Sequence, residues 1–262
     1  MSRAAGVLAP TAFILALIGA WEAACRLLAV PSYFLPAPSE VLLALAQNAG
    51  LLFVAAGRTL GRALAAFAIV SLLGDLSALA AASSRFVANS FRPIAVTLQV
   101  TPIVALAPLF QVWAGIDHPD RAVVALAAVI GFFPIYSGAV AGLSSADPEL
   151  ERLFDLYGAT PWQRLVRLRA PSALPQVLEG HKVSLGLTLV GAVIGEISAG
   201  SGGSEGLAWR ILEASHRLEM AKSFAALVAL ALLAGALHLG YQWIETRLLD
   251  FWRGRRRPLA AG

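Results

Sequence analysis

Residues 122–143 read AVVALAAVIGFFPIYSGAVAGL, a run of 22 residues without a charged side chain. A helix needs about 20 mostly apolar residues to cross the hydrocarbon core of a bilayer. Lipid offers no hydrogen-bond partner to a free backbone group, so a spanning run of this kind must be helical. The stretch therefore predicts a transmembrane helix.

The composition extends this prediction to the whole chain of 262 residues. Hydrophobic residues make up 58% of it and charged residues 14%, whereas soluble domains are about a quarter charged. So few charges cannot cover the surface of a soluble protein of this size, and we predict an all-α integral membrane protein. The net charge of +4 fits basic membrane flanks, and no segment suggests nucleic-acid binding.

Six stretches are apolar enough to span a membrane, and the longest polar connection, 144–182, separates the fourth from the fifth. The stretches are 8–30, 63–82, 93–113, 122–143, 183–199 and 224–244. We predict an N-terminal part, 1–58, made of the first helix and an extracytoplasmic linker. A core of five helices, 59–249, follows, and a basic tail, 250–262, ends the chain.

The positions of the basic residues predict how the helices are oriented. One side of the membrane would hold both termini, the connection 83–92 and the segment 144–182. That side carries thirteen of the 20 Lys and Arg residues. Because basic residues concentrate in cytoplasmic connections, both termini and 144–182 are predicted to be cytoplasmic.

The most informative polar stretch is 147–175, DPELERLFDLYGATPWQRLVRLRAPSALP. Its first part predicts a short helix with one apolar stripe, formed by Leu150, Leu153, Phe154 and Tyr157. Gly158 would end that helix. A second helix would then begin at a capping box, with Thr160 as N-cap, Pro161 at the first helical position and Gln163 reaching back. This helix is predicted to stop before Pro171.

An apolar stripe outside the membrane needs a partner. It could fold back on the ends of the chain's own helices, or it could dock a soluble protein. The residues alone leave both readings open.

The same stretch resembles the coupling-loop signature of permeases of binding-protein-dependent ABC importers. That signature is Glu-Ala-Ala, three residues, Gly, nine residues and Ile-x-Leu-Pro. The spacing from Gly158 to Leu168-Arg169-Ala170-Pro171 agrees, whereas Arg152-Leu153-Phe154 replaces Glu-Ala-Ala. Further stretches are similar to spans of this family: 99–115, 132–134, 191–196 and 206–208. The resemblance covers about 59–249 and is greatest to the subgroup for nitrate, sulfonate, taurine and thiamine-precursor pyrimidines.

The resemblance implies a non-catalytic permease subunit in a bacterial-type cytoplasmic (inner) membrane. Its expected partners are a dimer of cytoplasmic ATP-binding subunits, a second permease copy or paralogue, an extracytoplasmic substrate-binding protein and the lipid bilayer. The chain has no Gly-x-x-x-x-Gly-Lys-Ser/Thr loop. ATP and magnesium are therefore expected on the ATPase and no cofactor on this chain. A small polar solute would cross by alternating access.

By the same resemblance, the coupling residues form one continuous set around the predicted bend. They are Leu150, Leu153, Phe154, Tyr157, Gly158, Ala159, Thr160, Pro161, Trp162, Pro171 and Pro175.

Several polar or helix-breaking residues inside the predicted spans are candidates for the pathway or gate. Pro102, Pro108 and Pro134 interrupt backbone hydrogen bonding and can free carbonyl groups toward a cavity, or can simply kink their helices. Glu196, at the end of the fifth span, could line the pathway or be paired within the bundle. Asp75 is expected to bond to a neighbouring helix, with a substrate role as the alternative.

Arg58 and Arg62 are expected to extend to the outer interface of the membrane. The four histidines lack the spacing of a metal site, so no metal is expected.

Two other classes of function remain as alternatives. A secondary transporter or channel would need inverted repeats or coupling-ion carboxylates in broken helices, and no ATPase-docking segment. An intramembrane enzyme would need a catalytic pair or a metal-binding helix, and the sequence contains neither pattern.

Overall fold

A computed structural model describes residues 3–84, 86–87, 89–90, 93, 96–97, 102–115, 117–200 and 205–254. Every regular element in these ranges is helical, as predicted. The helices are α1 (Arg3–Leu27), α2 (Pro38–Gln47), α3 (Ala49–Ser83), α4 (Ile103–Ala114), α5 (Pro119–Leu143), α6 (Pro148–Leu156), α7 (Pro161–Arg164), α8 (Ala170–Ala199), α9 (Leu207–His216) and α10 (Met220–Gly254). A π-helical turn, Leu165–Arg169, joins α7 to α8.

Four helices in the described ranges are long and apolar enough to cross a membrane. They are α3, α5, the continuous helix Pro161–Ala199 and α10, and they contain the second, fourth, fifth and sixth predicted spans. The first predicted span coincides largely with α1, which has 25 residues. The third, 93–113, lies partly outside the described residues, and α4 forms its second half. The chain is therefore an all-α membrane protein.

The prediction that the helix after Thr160 stops before Pro171 is wrong. Helical structure continues without a break from Pro161 to Ala199, and the helix that contains the predicted fifth span therefore begins well before residue 183. In the π turn the Ala170 N–H donates to the Leu165 carbonyl, five residues back. This wider turn explains how the helix accommodates Pro171, which has no N–H and would crowd the preceding turn of a regular α-helix.

The described residues divide into two compact units. The first lies within Met1–Arg58 and Glu205–Leu232. In it, Glu22 of α1 accepts hydrogen bonds from the backbone N–H and the hydroxyl of Ser39 in α2, at 3.0 and 2.8 Å. The ring of Trp21 packs 5.9 Å from that of Phe224 in α10. These contacts tie α1 to α2 and to the start of α10.

The second unit lies within Thr59–Ser204 and Leu233–Gly262. Its centre consists of α5 and α8 packed against the part of α3 that follows Arg58, and we call these three segments the three-helix core. They meet at Gly131 of α5. A Cβ there would lie 2.4 Å from Thr188 Cγ2 of α8 and 3.4 Å from Val70 Cγ2 of α3. Only a residue without a side chain allows the three backbones to approach this closely.

Candidate functional site

The 147–175 segment forms two helices separated by a sharp bend. Asp147 caps α6 by accepting a hydrogen bond from the Glu149 N–H at 2.8 Å. At the other end, the Gly158 N–H donates to the Asp155 carbonyl and the Ala159 N–H to the Phe154 carbonyl, both at 3.0 Å. This is the Schellman pattern of helix termination, which requires a left-handed residue. Gly158 supplies it, with φ of +62°, so the predicted end of the helix is confirmed.

The second helix begins at the predicted capping box. The Gln163 N–H donates to Thr160 Oγ1 at 3.2 Å, and the Thr160 N–H donates to Gln163 Oε1 at 2.9 Å. Pro161 occupies the first turn, where its missing N–H costs nothing. The local hydrogen bonds alone therefore fix where both helices of the bend end and begin.

Ion pairs hold the two helices together across the bend. Glu151 of α6 bonds Arg169 at 2.6 Å and lies 3.3 Å from Arg164. Arg164 also pairs with Asp155. Because these pairs are only partly buried, each contributes little to stability. Together they restrict the angle between α6 and the helix that begins at Pro161.

The bend leaves large apolar side chains exposed. Leu156 is 85% exposed, Tyr157 82% and Trp162 70%. Leu150 and Leu153 are also exposed, whereas Phe154 is half-buried. Leu156 was not among the residues predicted from the apolar stripe, because its position falls outside the i, i+3, i+4, i+7 series. Its exposure enlarges the apolar surface around Gly158.

A second arrangement lies within the three-helix core and is built around Arg62. Glu196 of α8 is fully buried, and Thr59 Oγ1 and Arg62 Nη1 of α3 both donate to its Oε1 at 2.8 Å. Arg62 also pairs with Asp120 at the start of α5, through Nε at 2.8 Å and Nη2 at 2.6 Å. We call these four residues the Arg62 cluster.

The Arg62 cluster corrects one prediction and clarifies another. Arg62 does not extend to an interface, because it is buried between two carboxylates. Glu196 is paired within the bundle and does not border open space in this conformation. Spacing could not have revealed the pairing of Arg62 with Glu196, because the two residues are 134 positions apart.

Asp75 bonds to a neighbouring helix, as predicted, and its partner is His181 of α8. Asp75 Oδ2 lies 3.3 Å from His181 Nε2, and His181 Nδ1 lies 2.8 Å from the Val177 carbonyl. A carbonyl oxygen only accepts, so Nδ1 carries a hydrogen. The same face of α8 also receives α10, where the Tyr241 hydroxyl donates to the Leu178 carbonyl at 3.0 Å.

The three prolines predicted to interrupt the spans occupy different positions in their helices. Pro102 precedes α4 as its N-cap, and Pro108 lies inside α4. Pro134 lies inside α5, and the Ser137 hydroxyl donates to its carbonyl at 3.3 Å. A pathway role for these residues stays a prediction.

Comparison with known proteins adds an independent observation. Residues 71–250 match the family described as binding-protein-dependent transport system inner membrane component. Over 257 residues the chain is 31% identical to the formylaminopyrimidine transport permease protein ThiX of Halalkalibacterium halodurans, which covers 98% of this chain and 100% of that protein.

Two further relatives have similar coverage. The chain is 32% identical over 234 residues to the riboflavin transport system permease protein RibX of Chloroflexus aurantiacus, covering 88% of this chain and 85% of that protein. It is 27% identical over 245 residues to the taurine transport system permease protein TauC of Escherichia coli, covering 91% and 87%.

Proposed function

Because the chain belongs to the family of inner membrane components of binding-protein-dependent transport systems, and is therefore a permease subunit, we propose that its 147–175 segment binds a separate cytoplasmic ATPase. In this proposal both termini and the 147–175 segment lie in the cytoplasm. The distribution of Lys and Arg supports that orientation.

The observation that carries the proposal is the exposed apolar surface at the bend. Leu156, Tyr157 and Trp162 project from helices whose ends are fixed by the Gly158 turn and the Thr160 capping box. Exposed aromatic side chains on a preorganised backbone are typical of the centre of a protein interface, because little conformational entropy is lost on binding. A groove on the ATPase would cover them.

The remaining partners follow from the way such importers work. ATP and magnesium would bind to a dimer of ATPase subunits, and ATP-driven closure would move the coupling segments of two permeases. The second permease would be another copy or a paralogue. A substrate-binding protein would deliver the solute on the other side of the membrane. The departure Arg152-Leu153-Phe154 from the family signature would correspond to an adapted groove on the ATPase or to pairing with a non-identical permease.

The transported substrate is proposed to be a small polar solute, with a thiamine-precursor pyrimidine as the first candidate. The formylaminopyrimidine permease supports this candidate, since its match extends over 98% of this chain and 100% of that protein. Sulfonate-like or nitrate-like anions are the next candidates, and the taurine permease is consistent with the former.

The test is the stoichiometry of the purified complex. The chain is co-expressed with the ATP-binding subunit of its operon or locus and isolated in lipid nanodiscs. We expect one ATPase subunit for each permease chain and ATP hydrolysis by the complex. The double variant Leu153→Asp/Tyr157→Asp should lose both, since two charges would have to enter an apolar interface.

Leu248→Asp is the matched control, because Leu248 is an exposed apolar residue near the end of α10 and is as exposed as Leu153. It should retain the ATPase. Equal retention by the double variant and the control would refute the proposed docking surface. Nucleotide-independent uptake by the chain alone would instead favour a secondary transporter.

A further inference from the structure

The helix that begins in the proposed docking segment ends at the Arg62 cluster. It runs unbroken from Pro161 to Ala199, so Trp162 and Glu196 are joined by continuous helix. At 1.5 Å per residue the two positions are about 50 Å apart. A displacement of Trp162 can therefore reach Glu196 without passing through a flexible connection.

Two polar contacts attach α3 to this helix at separate levels. Thr59 and Arg62 bond Glu196 at one level, and Asp75 faces His181 at the other. Arg62 and Asp75 are about 20 Å apart along α3, and His181 and Glu196 about 22 Å apart along α8. The nearly equal spacings fit two antiparallel helices in a single fixed register.

Between these levels the helices pack without room to slide. Gly131 of α5 lies against Thr188 of α8 and Val70 of α3, and the Ser184 hydroxyl donates to the Gly131 carbonyl at 2.7 Å. A Cβ on Gly74 of α3 would lie 2.7 Å from Ile135 Cγ2 of α5. Interiors packed this closely transmit displacement instead of deforming.

Arg62 has a special place in this arrangement because it contacts both other helices. Its side chain is 8% exposed, and its guanidinium lies between Glu196, whose side chain is fully buried, and Asp120, whose side chain is 67% exposed. Removing Arg62 would leave the buried Glu196 carboxylate without its cationic partner, which is strongly unfavourable. The planar fork of the guanidinium serves two carboxylates at once, a geometry that lysine reproduces only in part.

We infer that Arg62 is a positioning residue that makes α3, α5 and α8 move together, so that motion of the docking segment, carried along α8, also reaches α3. This inference rests on the proposed function, since it requires the ATPase to move the 147–175 segment. It adds that the Arg62 cluster stays intact during the cycle and carries that motion.

The experiment uses two thiol reporters in the purified permease–ATPase complex, made one at a time in a Cys25→Ser background because Cys25 is the only cysteine of the sequence. Val166→Cys reports on the docking end of the continuous helix and Leu64→Cys on α3 beside Arg62, and both residues are exposed. The rate of maleimide modification is measured without nucleotide and with ATP and vanadate. In the wild-type core, nucleotide should change both rates at least threefold.

Arg62→Gln should retain the nucleotide response at Val166→Cys and reduce the response at Leu64→Cys to less than a third. Arg62→Lys should preserve part of the response at Leu64→Cys. Arg58→Gln is the matched control, because Arg58 lies one turn earlier in α3 and pairs with Glu205 at an exposed site. Arg58→Gln removes the guanidinium that lowers the pKa of the Glu205 carboxyl. This variant should nevertheless leave both nucleotide responses intact.

A full response at Leu64→Cys in Arg62→Gln would overturn the inference. If Arg62→Gln lost both responses through misfolding, the double variant Arg62→Gln/Glu196→Gln would be tested instead, because it lacks the ion pair but leaves no buried charge at residue 196. Loss of the response at Leu64→Cys alone in that variant supports the inference, and retention overturns it. Absence of any nucleotide response in the wild-type complex would instead count against the proposed function.

Discussion

Substitution of Gly158 tests whether the bend itself determines ATPase binding. Gly158 has φ of +62°, and a Cβ added there would meet no atom within 4 Å. Within the chain, an added Cβ therefore acts through the backbone conformation and not through a clash with neighbours. Substitutions at residue 158 therefore test backbone strain without steric overlap inside the chain.

The magnitude follows from the left-handed backbone. A residue with a Cβ is destabilised by about 1–2 kcal/mol in that conformation. This free energy lowers the population of the left-handed conformation by a factor of about 5–30. Asparagine tolerates it best, alanine less well, and a β-branched residue is a genuine outlier there. The apparent affinity for the ATPase should therefore fall in the order Gly158, Asn, Ala, Val, with Ala weaker than wild type by up to about 30-fold.

The assay is equilibrium binding of the isolated ATPase subunit to the variant permease in nanodiscs, followed by fluorescence. Thermal unfolding of each variant serves as the control for folding. If the Val variant binds as tightly as wild type, or if the Asn variant binds more weakly than the Ala variant, backbone strain at residue 158 does not govern the docking surface.

Three further substitutions have expected outcomes. Thr160→Ala removes the N-cap and should weaken ATPase binding by about 1 kcal/mol, whereas Thr160→Ser should not; an unchanged affinity in the Ala variant would contradict this. Gly131→Ala should lower the unfolding temperature, because the new Cβ would lie 2.4 Å from Thr188 Cγ2. Gly186→Ala in α8 is its control. It should leave the unfolding temperature unchanged or raise it, because Gly186 has open space around it. Tyr241→Phe removes a hydrogen bond to a backbone carbonyl of α8 and should cost about 1 kcal/mol, measured by the same thermal unfolding; no loss would show that the bond is dispensable.

The sequence predicted features that depend on neighbouring residues along the chain. The Gly158 turn and the Thr160 capping box require only a few consecutive residues of the right type, and both formed as expected. Apolar length likewise predicted the spanning helices, because burying about 20 residues in lipid outweighs local propensity. The exception was Pro171, where a change in hydrogen-bond register absorbed a residue that normally ends a helix.

Features that depend on distant pairings could not be predicted. Arg62 on its own fits a long side chain that extends to a membrane interface, and only the folded chain brings it to Glu196 and Asp120. His181 had no motif around it, and its contact with Asp75 crosses between helices. A charged residue inside a span indicates that some partner exists, but the helix packing decides which residue it is.

The side of the membrane on which residue 157 lies decides whether the 147–175 segment can bind a cytoplasmic ATPase. Tyr157→Cys is made in the Cys25→Ser background and treated with a membrane-impermeant maleimide in intact cells and in inverted membrane vesicles. If the 147–175 segment is cytoplasmic and binds the ATPase, residue 157 should be modified only in the inverted vesicles and should be protected when the ATPase subunit is bound. Modification in intact cells, or no protection by the ATPase, would contradict the proposed function.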